Sequence, residues 1–253
     1  MIGSESRITI LKISVNVTTV KKAVRVIAEW ASDASGRCVN VSNVHMCMEA
    51  FDNEGYSEIV NKGDLVVPDG MPLVWAQYLM GYSGARRIRG YDLTLELCAH
   101  AERTSMPVGF YGSSPSVLEA TVSNLLLLYP KLNIVYKLSP PFRELTDNED
   151  RAIINEINAS GAQLLFVGLG CPKQEIWMAK HRANLKCVMV GVGAVFDFIS
   201  GNKKHAPQWM QTIGLEWLFR FGTEPRRLWK RYLKHNPRFV FYFIRQVLGK
   251  TYV

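Results

Sequence analysis

Asp69 stands just beyond the apolar run Leu65-Val66-Val67 and directly before Gly70. A carboxylate projected from the end of a rigid strand can take a proton from a sugar hydroxyl, which is the work of a general base. The same position also suits an N-cap for a helix starting near Pro72, and local sequence leaves both readings open. Asp197, in Val195-Phe196-Asp197-Phe198, is a second carboxylate. Flanked by Phe, it reads as a buried structural acid paired to backbone or arginine, with a direct site role as the other reading. His45 lies two residues after Asn43 and could reach the same crevice, although a lone histidine at a helix start is more often structural.

Cations that could answer such a carboxylate are concentrated at the far end of the chain. Residues 202–253 carry eleven Lys/Arg against only Glu216 and Glu224, a net charge of +9, whereas residues 1–201 are nearly balanced at −1. The same stretch holds eleven Phe, Tyr and Trp, interleaved with the cations as in Trp217-Leu218-Phe219-Arg220-Phe221 and Arg227-Leu228-Trp229-Lys230-Arg231-Tyr232. Guanidinium groups fork onto phosphate oxygens, and aromatic rings settle at a headgroup boundary. A membrane lipid, a nucleotide or a nucleic acid could each supply that target.

The elements that must position these groups alternate along the chain. Apolar or β-branched runs predict strands at Ile8–Val15, Cys38–Val41, Leu65–Val67, Val108–Tyr111, Ile134–Lys137, Leu164–Val167 and Val188–Val192. Helices fill the gaps: Val20–Ala31 behind Thr18 and Thr19, Ser116–Tyr129 behind Ser113-Ser114-Pro115, and Thr146–Ala159 with Thr146 and Glu149 at capping-box spacing. Strands separated by helices argue for an α/β fold, a Rossmann-like, mostly parallel sheet covered on both faces. After Gly193 the pattern changes to helices begun by Pro207, Pro225 and Pro237. A boundary near Ser200-Gly201 therefore divides an α/β catalytic body, residues 1–200, from a basic helical appendage, residues 201–253.

Ligands of an open parallel sheet sit beyond the carboxyl ends of its strands. Here those positions carry Asn43, Pro68-Asp69-Gly70, Gly112-Ser113-Ser114, Gly168-Leu169-Gly170 and Gly191-Val192-Gly193. Any α/β turn favours glycine, but five polar or glycine-bearing strand ends together favour a ligand crevice. Neither double-glycine turn completes G-x-G-x-x-G, and no Walker A sequence, G-x-S-x-G elbow or H-E-x-x-H pair occurs, so no cofactor and no metal are expected. Five scattered cysteines without a C-x-x-C pair argue against a disulfide framework or zinc cluster and fit a reducing cytosol. Met1–Thr9 lacks the apolar core of a secretory signal. The run Phe239–Ile244, ended by Arg245, is far shorter than the roughly 20 residues of a spanning helix, so any membrane contact is peripheral.

Several uncommon strings occur in one order. They are Asn43, Val67-Pro68-Asp69-Gly70-Met71-Pro72-Leu73-Val74-Trp75, Arg87-Ile88-Arg89-Gly90-Tyr91-Asp92-Leu93 and Gly168-Leu169-Gly170-Cys171-Pro172-Lys173-Gln174-Glu175. Gly191-Val192-Gly193-Ala194-Val195-Phe196-Asp197, Ala206-Pro207-Gln208-Trp209, Gly214-Leu215-Glu216-Trp217-Leu218-Phe219-Arg220, Glu224-Pro225-Arg226-Arg227 and Arg231-Tyr232 follow. The series, from Ile8 to Tyr232, resembles the WecG/TagA/CpsF glycosyltransferases. The resemblance implies inverting, metal-independent transfer of a hexose from a UDP-sugar, UDP-glucose or UDP-N-acetylmannosamine, to a polyprenyl-diphosphate-linked saccharide. It further implies a peripheral enzyme on the cytoplasmic face of the plasma membrane, against an anionic surface, in cell-surface polysaccharide or exopolysaccharide assembly. The family's catalytic base falls on Asp69, its polar binding positions on Asn43 and Gln174, and its appendage arginines on Arg220, Arg227 and Arg231, with Arg226 adjacent. Gly70, Arg87, Gly112, Gly170 and Glu175 lie in the same strings or turns and complete the candidate substrate-binding set. Many members carry Thr two residues before the Asn, where this chain has Val41, so a hydroxyl contact to sugar or base is missing.

The chemistry agrees with the composition. Inverting transfer needs one carboxylate to accept a proton and positive charge to stabilise the departing diphosphate. Many nucleotide-sugar enzymes hold a divalent ion for this with an Asp-x-Asp pair, and the chain has none. Arginines of the appendage would take the ion's place. A reading from another class keeps the appendage and drops the enzyme: a nucleotide- or nucleic-acid-binding protein. No RNA-binding signature supports it, and no nucleic-acid partner is expected. Exposed apolar helix faces would permit homo-oligomers.

Overall fold

The computed structural model describes residues 6–249. Lys250 and Tyr252 of the basic segment, and residues 1–5 of the polar N-terminus, lie outside the described residues. Where one strand is expected over Ile8–Val15, the chain makes a hairpin: β1 (Arg7–Ile10) pairs antiparallel with β2 (Ile13–Asn16), Ile10 opposite Ile13. The reversal falls at Leu11, whose φ of 55° is left-handed. No Asn-Gly or Asp-Gly marks this turn in the sequence. Leu11 holds it because its side chain is buried and its N–H donates to Gln246 Oε1 at 2.9 Å.

The other strands are β3 (Arg37–Ser42), β4 (Leu65–Pro68), β5 (Val108–Gly112), β6 (Ile134–Leu138), β7 (Leu164–Gly168) and β8 (Val188–Gly191). They form one six-stranded sheet in the order β4-β3-β8-β7-β5-β6, parallel throughout. The fold is thus α/β and Rossmann-like, and the sheet strands end within a residue of the expected limits. Because the strands run alike, Ser42, Pro68, Gly168 and Gly191 all finish at one edge, where a crevice forms.

Alternation along the strands separates two faces. Val39, Val41, Phe110, Phe166 and Val190 pack beneath α1 (Val20–Ser32), α5 (Gly90–Thr104), α6 (Pro115–Leu128) and α9 (Val195–Ile199). Cys38, Tyr111, Leu165, Val167 and Met189 face α7 (Asp147–Ala159) and α8 (Lys173–His181). The expected helix starts are present: Thr19 and Ser114 accept N-cap hydrogen bonds, and Thr146 with Glu149 closes a capping box. A third apolar cluster joins the hairpin to α2 (Val44–Asp52), α3 (Glu54–Asn61) and α4 (Met71–Leu79).

Beyond Ser200 come α10 (Gln208–Thr212), α11 (Glu216–Thr223) and α12 (Pro225–Val247). Pro207 and Pro225 stand at helix starts, but Pro237 does not: α12 runs through it. Pro237 cannot donate to the Leu233 carbonyl, so the helix must be held on both sides. Leu228 and His235 are buried before it, and Phe239 and Phe243 after it. Arg238 makes a forked ion pair with Asp52 of α2 at 2.5 and 3.0 Å, and Gln246 also donates to the Thr9 carbonyl at 2.8 Å. The end of α12 is thereby tied to the N-terminal hairpin. No helix among the described residues is long and apolar enough to cross a membrane.

Candidate active site

Two cavities open beyond the carboxyl ends of β3, β4 and β8. The larger, about 530 Å³, runs between α4 and α12 and is lined by apolar side chains such as Trp75, Leu79, Phe239 and Ile244. The smaller, about 240 Å³, is bounded by the glycine turns Gly170 and Gly191-Val192-Gly193 and by Val41, Arg89 and Arg227. Asn43, Asp69, Glu216, Arg220 and Arg231 line both. These five residues mark where an apolar compartment meets a polar one.

Asp69 sits at this junction because β4 ends one residue before it and its N–H donates to the Ser42 carbonyl at 2.7 Å. It does not cap α4. Gly70 occupies the N-cap and no side chain bonds the first turn, leaving the Asp69 carboxylate free to face the cavities. The Asp69 side chain is one quarter exposed and its nearest cation is Arg87, 4.0 Å away. Burial raises its pKa above the usual carboxylate value and Glu216 adds to the rise, while Arg87, Arg220 and Arg89 oppose it. Arg87 is held by donation to the Asp69 carbonyl at 2.5 Å and to Glu216 at 2.7 Å. Glu216 behaves oppositely to Asp69: burial works against its ionisation, yet Arg87, Arg89 and Arg220 outweigh that and keep its pKa low. One carboxylate is therefore neutralised by arginines, and the other is left more basic.

The appendage delivers its arginines to the same place. Arg220 of α11 lies over the Phe198 ring at 5.0 Å, and its Nε is buried without a hydrogen-bond partner. Arg231 of α12 also has a buried, unpartnered Nε and reaches Asn43 Oδ1 only at 3.5 Å. Burial lowers the Arg231 pKa, and the like charges of Arg220 and Arg227 lower it further. Arg227 lines the smaller cavity while pairing with Glu224 at 2.6 Å. Half-buried guanidinium groups with unmet Nε donors, crowded by their own kind, have the chemistry to hold a polyanion.

Gln174 organises the glycine turns opposite. Its buried Oε1 accepts from the N–H of Gly170 at 3.2 Å and of Gly193 at 3.0 Å. Both glycines have positive φ, 82° and 59°, which few other residues adopt. Gln174 Nε2 donates to Glu175 at 2.7 Å, and Glu175 is buried beneath it, accepting from Tyr56 at 2.9 Å. Asn43 serves as N-cap of α2, accepting from His45 N and Met46 N. Three of the expected binding residues line neither cavity. Gly112 packs where a Cβ would meet the Gly168 backbone at 2.6 Å, Glu175 lies behind Gln174, and Arg226 is exposed on α12. Asp197 also stands apart, bonded to Asn202 at 2.9 Å and Lys203 at 3.3 Å.

Comparison with known proteins follows the same lines. Residues 8–252 match the model of the Glycosyl transferase WecG/TagA/CpsF family. The chain belongs to this family. Among curated relatives, an N-acetylglucosaminyldiphosphoundecaprenol N-acetyl-beta-D-mannosaminyltransferase of Bacillus spizizenii is 32 % identical over 206 residues, covering 81 % of this chain and 77 % of the relative. A protein of the same name from Bacillus subtilis is 30 % identical over 202 residues, covering 78 % and 75 %.

In this WecG/TagA/CpsF chain, the residues that sequence reasoning passed over are Glu216 and Arg89. Glu216 accepts from Arg87 and lies 3.7 Å from Arg89, so it braces both arginines beside Asp69. Its signal was present: it is one of two acids in a segment otherwise rich in cations. Such an acid survives where it has a fixed partner. Arg89 lines the smaller cavity but carries no mark beyond its place in the string Arg87-Ile88-Arg89-Gly90.

Proposed function

We propose that the protein is an inverting glycosyltransferase that moves a hexose from a UDP-sugar to a lipid-diphosphate-linked saccharide. Asp69, at the common wall of the polar and apolar cavities, is the observation that carries this reading. The UDP-sugar lies in the smaller cavity, with its diphosphate against Arg220 and Arg231 and the glycine turns. The acceptor enters from the larger cavity, whose apolar lining suits a polyprenyl chain. Asp69 takes the proton from the acceptor hydroxyl as its oxygen attacks the anomeric carbon. The bond from that carbon to the β-phosphate oxygen breaks, UDP leaves, and the configuration inverts. Negative charge grows on the diphosphate, where the two half-buried guanidinium groups meet it without a metal ion.

The relatives' shared name supports N-acetylmannosamine as the sugar moved and diphosphate-linked N-acetylglucosamine as the acceptor. UDP-glucose is the other donor to test, because Val41 lines the smaller cavity and offers the bound nucleotide-sugar no hydroxyl there. The product enters a cell-surface polysaccharide or exopolysaccharide. Residues 1–200 supply the donor site and base, and residues 201–253 close the site and rest on the cytoplasmic membrane face.

A panel of UDP-hexoses offered with a synthetic lipid-diphosphate N-acetylglucosamine acceptor tests the assignment. UDP-N-acetylmannosamine should be consumed, and Asp69→Asn should lower kcat by roughly 10²- to 10⁴-fold, the usual worth of a general base, while UDP still binds. Full turnover by a folded Asp69→Asn protein would remove the carboxylate from the mechanism.

A further inference from the structure

His45 and His235, on one wall of the larger cavity, and Glu49 behind them have no part in the transfer described above. His45 and Glu49 lie one turn apart on α2, and His235 reaches them from α12. Both histidine Nε2 atoms lie 3.5 Å from the same Glu49 Oε1. One donor atom from each of the three residues falls within 4.8 Å of the others. Nitrogen and oxygen ligands about 2.0–2.2 Å from a tetrahedral zinc ion are roughly 3.4 Å apart. Two edges of such a tetrahedron are therefore at ligand spacing already, and a small turn of the imidazoles closes the third.

The chemistry of the three groups fits a cation as well as their spacing does. Burial lowers the pKa of both histidines, that of His45 to about 3, with Arg231 and Lys234 contributing to each. Two imidazoles and a carboxyl group supply the nitrogen and oxygen donors that such an ion takes. Both Nδ1 atoms are buried without a partner. The nearby cations leave Glu49 to the histidines, because Lys234 and Arg238 both turn to Asp52, at 3.4 and 2.5 Å. Imidazole and carboxylate ligands without a thiolate suit zinc, cobalt or nickel.

We propose that His45, Glu49 and His235 form a divalent transition-metal site of the zinc type, fastening α12 to α2, with its fourth position open to the larger cavity for water or a ligand oxygen. The ion is distinct from the arginine cluster that meets the donor diphosphate. It acts as a clasp: metal binding stabilises the folded state only while α12 is docked, so it holds the appendage closed over the site.

Titration of the full-length protein with Co²⁺ tests the proposal. One equivalent should bind with the visible d–d bands of tetrahedral Co²⁺, Zn²⁺ should displace it, and Zn²⁺ should raise the unfolding temperature. His235→Gln and Glu49→Gln, shown to be folded by circular dichroism and cooperative unfolding, should bind at least roughly 100-fold more weakly, since even loss of a group that only orients a ligand costs about 10- to 100-fold. Wild-type protein without the bands would overturn the site, as would bands surviving unchanged in both variants. Asp69→Asn should keep the bands, so loss of the metal site and loss of transfer are read separately.

Discussion

Asp69 and Glu216 show how one set of arginines gives two carboxylates different tasks. Glu216 is close enough to Arg87 to be neutralised by it, whereas Asp69 stands 4.0 Å from the same guanidinium. A general base must be deprotonated to act, so activity falls as pH drops through its pKa. With that pKa raised, the acidic limb of the kcat profile should lie above the ordinary aspartate value of about 4. Glu216→Gln removes a negative neighbour and frees Arg87 to turn toward Asp69. Both effects favour the ionised base, so the acidic limb should shift to lower pH in a kcat profile taken with saturating substrates. A limb that stays in place would assign it to another group.

The elements that carry these residues differ in how plainly the sequence announces them. The parallel strands are short apolar runs bounded by polar turns, and the limits of the inner ones were legible because burial on both faces leaves little ambiguity. The Leu11 reversal was not legible, because an apolar residue takes the left-handed turn and a contact from Gln246, distant in sequence, stabilises it. Pro237 misled for the same reason: local chemistry ends a helix there, and anchoring by Phe239, Phe243 and Arg238 overrides it. The Asp69 candidate was legible from its place after a strand, but its neighbour Glu216 needed the fold to bring α11 beside β4. Truncating an anchor should expose this dependence. Phe243→Ala should cost about 3–5 kcal/mol in denaturant unfolding, the usual range for a buried Phe, unless the end of α12 adds little to the cooperative fold. For the arginines, Arg220→Ala and Arg231→Ala should each lower kcat on the order of 10²- to 10³-fold with a water-soluble acceptor. Unchanged turnover there would limit the appendage to a docking role.

At the scale of the molecule, charge and apolar surface coincide. The segment after residue 201 carries a net charge of +9 and also exposes Trp209, Trp217, Leu218, Trp229, Leu233, Phe241 and Leu248. Exposed apolar groups of this number are costly in water unless a partner covers them. A lipid surface would cover them, and its anionic headgroups would answer the cations at about 1 kcal/mol per residue near the surface. The larger cavity lies between α4 and α12, so docking by this face would bring the cavity to the membrane in which a polyprenyl acceptor is anchored. Binding to vesicles containing an anionic lipid should therefore weaken as salt is raised, because screening acts on the cations. The replacements Trp229→Ala and Leu233→Ala, at positions lining neither cavity, should weaken it at every salt concentration and should lower turnover on vesicle-embedded acceptor while sparing turnover on a soluble one. Equal losses on both acceptors would mean that these side chains support the fold of α12 and not its contact with lipid.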